Sequence, residues 1–311
     1  MKRKAGLLIL ALVLTATIEA EDRIADLADQ TVHHLPAYFL EMPESLSDFL
    51  IADTGSARLL RFTQTQDGIV ELDRRYMSIG RAGVGKQRAW DRKTPLGVYF
   101  ITGELDTSKL AAKYGVAAFP LDYPNAWDRY NERTGSGIWL HGVDASAPDR
   151  PPLDTDGCLA LPNDELALLV GSLLPQETPI IVVREIQWSE PAELEELRSE
   201  FRGALEQWRT SLEQGDLVTY LSLYDDAFQS RGMSKKEWSA YRVGAFAARK
   251  LNAVNLNDVM LLADPEEQEL FVSRFNQTLL TEHGPVTTRK RLYWRRDRDR
   301  RNWRIVAEDA G

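Results

Sequence analysis

Apolar positions change their period along this 311-residue chain, and the changes mark out its parts. From Asp48 the pattern is that of strands. Phe49-Leu50-Ile51-Ala52 and Ser56–Phe62 read as a hairpin, with Asp53-Thr54-Gly55 as its turn. Gly68–Leu72, Val98–Ile101, Gly137–His141 and Thr178–Val183 add further strands. Asn163-Asp164-Glu165 predicts a capped helix over Leu166–Leu173. Beyond Gln187–Pro191 the period lengthens. Leu194, Leu197, Phe201, Leu205, Trp208 and Leu212 recur every three or four residues, which predicts an amphipathic helix over 191–214. Gly215-Asp216 ends it and caps a second helix, Leu217–Phe228, and the Ser234/Glu237 spacing opens a third. Four extended segments follow: Ala253–Leu262, Glu269–Thr281, Thr287–Arg296 and Asn302–Ala307. The expectation is a mainly β domain over 48–187, then a small α+β domain over 191–311 in which a curved sheet wraps a helix like a cone.

Two N-terminal segments stand apart. Lys2-Arg3-Lys4, an apolar run from Ala5 to Thr15, and Ile18-Glu19-Ala20 read as a signal peptide over 1–20 cleaved after Ala20, so the expected location is exported and periplasmic. The run is too short to span a bilayer. Residues 21–47, with Ile24, Leu27, Leu35, Phe39 and Leu40, read as a helical approach segment.

The formal charge is −9, and residues 1–20 carry three Lys/Arg and one Glu, so the mature chain is more acidic still. That excludes bulk nucleic-acid binding, which needs a cationic footprint. Gly83-x-Gly85 lacks the third glycine and the strand–turn–helix setting of a nucleotide site. His33-His34 has no third ligand nearby, so neither metal nor cofactor is expected. Cys158 is the only cysteine. Without a disulfide partner in an oxidising compartment, it is better explained as reactive than as structural.

The neighbours of Cys158 sharpen that. His141 follows three apolar residues at a strand end, and Cys158 comes seventeen residues later, after a Pro- and Asp-rich loop that can double back. A histidine beside a thiol is what activates a cysteine nucleophile. Gly157 permits the turn that exposes the sulfur and brings amides toward an oxyanion. The group orienting His141 is open among Asp144, Asp156 and a backbone carbonyl. A protease of another kind would need a helix directly after the cysteine, whereas Leu159-Ala160-Leu161-Pro162 reads as a strand ended by proline.

His141-Gly142, the spacer, and Thr155-Asp156-Gly157-Cys158, preceded by Thr94-Pro95-x-Gly97 and Val98-Tyr99-Phe100, resemble the signature of the L,D-transpeptidase catalytic (YkuD-type) domain over about residues 48–185. The resemblance implies a peptidoglycan stem peptide as substrate, with Cys158 attacking the L-centre carbonyl of meso-diaminopimelate, D-Ala leaving, and His141 moving the proton. It makes Gly142, Thr155, Asp156 and Gly157 the oxyanion and substrate loop. An amine would resolve the thioester in a transpeptidase. Water would do so in an L,D-carboxypeptidase, and a related amidase detaches a lipoprotein. The chain departs from the family at Asp156, where Ser or His is common, and at Ala160, where an arginine usually marks the edge of the site. A degenerate, wall-binding protein is the reading those departures leave open. The order of elements in 191–311 resembles a nuclear-transport-factor-two-like cone. Trp208, Tyr220, Tyr224, Trp238, Phe271, Tyr293 and Trp303 would fill its core or line a pocket, and a homodimer or a wall-associated protein partner would dock there. Exported enzymes joining these two parts include L,D-carboxypeptidases that shape helical cells.

Overall fold

The computed structural model describes residues 34–66, 68–248, 251–297, 299 and 302–310. The signal-peptide reading and His33 lie outside these residues. In the first domain a five-stranded sheet runs in the order Gly68–Tyr76, Arg58–Thr65, Phe49–Asp53, Pro179–Val183, Gly97–Phe100. Phe49–Asp53 and Pro179–Val183 pair in parallel and are buried on both faces, hence their unbroken apolar sequence. Side chains alternate between two cores. Leu50, Ala52, Ile180 and Val182 point into the first domain, with Tyr99, Phe119, Leu140 and Leu159. Phe49, Ile51, Ile181 and Val183 point the other way, onto Met260, Leu262, Val272, Tyr293 and Val306 of the second domain. The two domains therefore share a hydrophobic layer.

The second domain wraps a seven-stranded sheet around the helix Pro191–Gln214. Pro191 opens that helix, and Gly215 closes it in the left-handed conformation, at φ 71°. Leu194, Phe201, Leu205, Trp208 and Leu212 are buried as the period requires, and all seven aromatics named above belong to the core. The Ser234/Glu237 box forms, with the Glu237 carboxylate accepting from Ser234 N at 2.9 Å at the head of helix Lys235–Ala248.

Three expectations change. The second helix is only Leu217–Ser222, because Tyr224–Ser230 pairs in parallel with Asn302–Asp309 and buries Tyr224 and Phe228. Sheet pairing overrides local preference there. The approach segment is not helical where it is described. Leu35–Pro36 pairs with Trp188–Ser189, and Phe39–Glu41 completes the second domain's sheet against Leu251–Ala263. Pro36 cannot donate in a helix, and the consecutive apolar run Tyr38-Phe39-Leu40 suits a strand covered on both faces. The helix after the cysteine is only Asn163–Ala167, capped by Pro162 without a side-chain bond, although Leu169 and Leu173 remain buried in turns. Asn163 is engaged elsewhere.

Charges lock the joint between the domains. Arg291, 4% exposed, donates to Asp122 of the first domain and to both carboxylate oxygens of Asp309. Arg274 donates to the Gln176 carbonyl and lies over the Phe100 ring. Among the described residues no helix is long and apolar enough to cross a membrane.

Candidate active site

The site rests on a three-stranded sheet: Ala118–Pro120, Trp139–His141 and Leu159–Ala160. Alternation in Ile138-Trp139-Leu140-His141 sends Ile138 and Leu140 into the core and leaves Trp139 and His141 on the other face. Leu159–Ala160 pairs with it in parallel, Leu159 opposite Leu140 and Ala160 opposite His141. Cys158, one residue before Leu159, therefore shares the face of His141, one strand over and two residues back. At ordinary strand spacing and rise, the two Cα atoms are about 8 Å apart, a separation two inward-leaning side chains can close.

The histidine is oriented by the chain itself. Its Nδ1 lies 2.6 Å from the Gly142 carbonyl. A carbonyl only accepts, so Nδ1 carries the proton and Nε2 is left as the base. This answers the question of the orienting group. Asp144 instead accepts from Ser146, and Asp156 is an exposed partner of Arg81 at 3.4 Å and Arg92 at 4.0 Å. The peptide unit that carries the Gly142 carbonyl is held through its Val143 N by Asn163, whose Oδ1 accepts from Val116 N and Val143 N while Nδ2 donates to the Val143 carbonyl. A Cβ on Gly142 would come within 2.2 Å of that Oδ1, so only glycine fits.

The cysteine turn is clamped in the same manner. Thr155 Oγ1 accepts from Gly157 N at 3.1 Å and donates to the Cys158 carbonyl at 2.7 Å. Thr94, from the upstream Thr-Pro-x-Gly segment, donates to the Gly157 carbonyl and accepts from Gly80 N. Gly157 has φ +125°, and a Cβ there would meet the Lys93 carbonyl at 2.7 Å. The amides of Gly142 and Gly157 are thus committed inside the fold, to the Tyr114 and Ala117 carbonyls and to Thr155. Within the loop of Gly142, Thr155, Asp156 and Gly157, the two glycines therefore let the chain pass and offer no free amide of their own.

Electrostatics keep the resting pair neutral. Burial lowers His141 to about 4 against the opposing pull of its Gly142 bond, and Arg150 and Lys113 push it further down. Burial also raises the Cys158 thiol, and an amide bond from Trp139 together with Lys113 works in the opposite direction. The thiol proton points at the Gly137 carbonyl, 3.4 Å away. Tyr114 packs edge-on to His141 and against Trp139, carrying Lys113 over its own ring. Lys113 and Tyr114 gave no signal in the sequence, since they reach the site from a distant segment, and Asn163 was read there only as a helix cap. Ala160, where an arginine was looked for, is 1% exposed and hydrogen-bonded through its backbone to Ser78. The cations whose charge acts on Cys158 are Lys113 and Lys86, while Arg81 and Arg92 face Asp156, two residues earlier. Among the described residues no group of three or more His, Cys, Asp or Glu is gathered as metal ligands.

Residues 47–182 match the L,D-transpeptidase catalytic domain (YkuD) family, and residues 200–309 match the Cds6 C-terminal NTF2-like domain. The chain joins an L,D-transpeptidase catalytic domain to an NTF2-like domain. The two-domain architecture is similar to Bd1075 of Bdellovibrio bacteriovorus, with a TM-score of 0.72, 25% identity, and 89% of this chain and 97% of that one covered. It also shares its fold with Pgp2, the helical cell shape determining protein of Campylobacter jejuni, with a TM-score of 0.70, 20% identity, and 87% and 96% covered. No curated protein matches the sequence. The L,D-transpeptidase domain family is enzymatic and acts on peptidoglycan. In this chain Cys158 directly precedes the strand Leu159–Ala160, whose register beside Trp139–His141 turns it to the side of His141.

Proposed function

We propose that this protein is an exported cysteine acyltransferase of peptidoglycan stem peptides, working through Cys158 and His141. The observation that carries the reading is the parallel register that sets both residues on one face, with Nδ1 of His141 tied to the Gly142 carbonyl so that Nε2 is the free base. Nε2 takes the thiol proton as the sulfur adds to the L-centre carbonyl of meso-diaminopimelate. The tetrahedral adduct collapses, the bond to D-Ala breaks, and His141 gives the proton to the leaving nitrogen. An acceptor amine then attacks the thioester, His141 takes its proton, and the proton returns to sulfur. Because both groups rest neutral, proton transfer and attack proceed together rather than from a standing ion pair.

A second reading has its own support. Lys113 bears on both His141 and Cys158, Arg150 on His141 and Lys86 on Cys158, a local positive field that disfavours an approaching ammonium and is indifferent to water. That field favours hydrolysis, trimming tetrapeptides to tripeptides. Export through residues 1–20 and a part in setting cell shape, as the name of Pgp2 describes for that protein, belong to the same proposal.

The test is incubation of the full chain with disaccharide tetrapeptide, with products followed by mass. A cross-linked dimer reports transfer to an amine, a tripeptide alone reports hydrolysis, and lipoprotein fragments freed from whole sacculi report the amidase activity. Cys158→Ala should lower any of these by at least about 10⁴-fold and abolish the covalent adduct. Product formation that does not depend on Cys158 sinks the proposal.

A further inference from the structure

Trp90 is 93% exposed. A single exposed apolar side chain is ordinary on a surface, but the segment that carries this one is built to hold it there. The Asp91 carboxylate accepts four hydrogen bonds, from Lys86 Nζ at 2.7 Å, Gln87 N at 2.8 Å, Arg88 N at 3.0 Å and Lys93 N at 3.1 Å. Lys86 is itself 4% exposed and also donates to the Arg88 carbonyl. A second strut comes from Thr134, which accepts from Ala89 N and donates its amide to the Gln87 carbonyl. Burial would raise Asp91, yet these bonds hold it down at about 2, so the brace persists across the working pH range. Trp90 and Arg92 both adopt left-handed backbone, at φ 65° and φ 56°, which side chains other than glycine seldom do. The strained turn throws the indole outward instead of letting it fold onto the surface.

The loop is also part of the wall of the active site. The Lys93 carbonyl lies against Gly157, Arg92 reaches toward Asp156, and Ala89 and Lys86 abut Gly135. Trp90 stands three residues before Lys93, within about 12 Å of that point along the chain. In a stem peptide, three residues separate the sugar from the bond that Cys158 would attack, and extended they span about 10 Å. Trp90 therefore lies no farther from the wall of the cysteine turn than one stem peptide can bridge. A pyranose ring offers an apolar face of C–H groups to a flat aromatic surface, and the free carboxylates of the stem peptide attached to it suit the cations Arg88 and Arg92 on either side of Trp90 in the loop.

We propose that the loop from Lys86 to Lys93 is a sugar subsite, in which Trp90 stacks on an N-acetylated hexosamine of the glycan strand and sets the stem peptide running toward Cys158. This rests on the peptidoglycan reading of the site and adds to it which part of the polymer is read.

The experiment compares kcat/KM for disaccharide tetrapeptide with kcat/KM for the same peptide without sugar, in wild type, Trp90→Ala and Trp90→Phe. The ratio of the two values should fall about 5- to 10-fold in Trp90→Ala, through KM, and recover in part in Trp90→Phe. An unchanged ratio overturns the subsite. Titration of Cys158→Ala protein with the disaccharide peptide, with and without Trp90→Ala, reads affinity independently of turnover. Loss of affinity on removing the indole supports the subsite even if wild type converts neither substrate, in which case it is the enzymatic reading that fails. Equal affinity overturns the subsite in either event.

Discussion

The two domains solve opposite problems. The second is held by length: strands of 12 to 14 residues in register, and a 24-residue helix whose aromatics interlock, Phe201 stacked on Trp303 and Trp208 against Phe275. The catalytic face of the first is held by points: strands of two and three residues, each fixed by one or two side-chain bonds from Thr94, Thr155 or Asn163. Burial of apolar area tolerates small adjustments, whereas a point contact does not. The comparison teaches that stability and reactivity are assigned to different kinds of structure here. The domain with the larger aromatic core supports the domain with the chemistry through the shared layer and Arg291.

That division can be broken in several ways. The largest effect is expected at the joint. Arg291→Ala strips the buried guanidinium from the half-buried Asp122 and Asp309, which keep the Phe100 and Ala126 amides and the more distant Arg129, and should lower stability by about 3 kcal/mol in urea unfolding. If the two domains then unfold in one shifted transition, the layer is truly shared; separate transitions would show that the charges alone joined them. The next effect is on pH. His141 is held at about 4 in the fold against about 6.5 unfolded, so the unfolded chain binds a proton first as pH falls. The stability that wild type holds above pH 6.5 should drop by about 3 kcal/mol by pH 4 and no further on this account. Subtracting the urea-unfolding profile of His141→Asn isolates that step, and identical profiles would refute it. Alkylation of Cys158 by iodoacetamide should still be accelerating at pH 9, because its thiol is raised.

Smaller but more telling is one substitution made in both regions. Gly157→Ala drives a Cβ into the Lys93 carbonyl in a backbone conformation that disfavours it, and should cost about 1–3 kcal/mol while displacing the sulfur. Gly203→Ala, in the long helix with nothing within 4 Å of the new Cβ, should stabilise the chain by about 0.5–1 kcal/mol and leave the chemistry alone. Thermal unfolding with a product assay checks both. If the two changes have the same sign, the contrast between points and lengths is wrong.

What could be read from the sequence follows the same line. The helix Pro191–Gln214 announces itself by period, because it buries one regular face, and the strands Phe49–Asp53 and Pro179–Val183 by unbroken apolar runs, because both their faces are buried. His141, Gly157 and Cys158 were legible because the chemistry demands those residue types at a strand end and a tight turn. The orienting carbonyl of Gly142 was one of several open choices, and Asn163 was read as a cap. The first is a matter of ring rotamer beside the next residue's carbonyl, and the second of which remote backbone groups arrive beside Asn163, neither of which spacing along the chain encodes. The strands Phe39–Glu41 and Tyr224–Ser230 were misread for a related reason, since their partners lie far along the chain.

Phe39–Glu41 has a consequence for how the molecule is made. Glu41 pairs with Leu261, so a chain of more than two hundred residues must be complete before this strand finds its place. Loop closure on that scale is slow, and it comes late. Until then the flank of Leu251–Ala263 is open to any strand that reaches it, including the same segment of a second newly made chain. At high local concentration two such chains would exchange these strands and emerge as an entangled pair, so dilution during refolding should decide how many molecules end as singles.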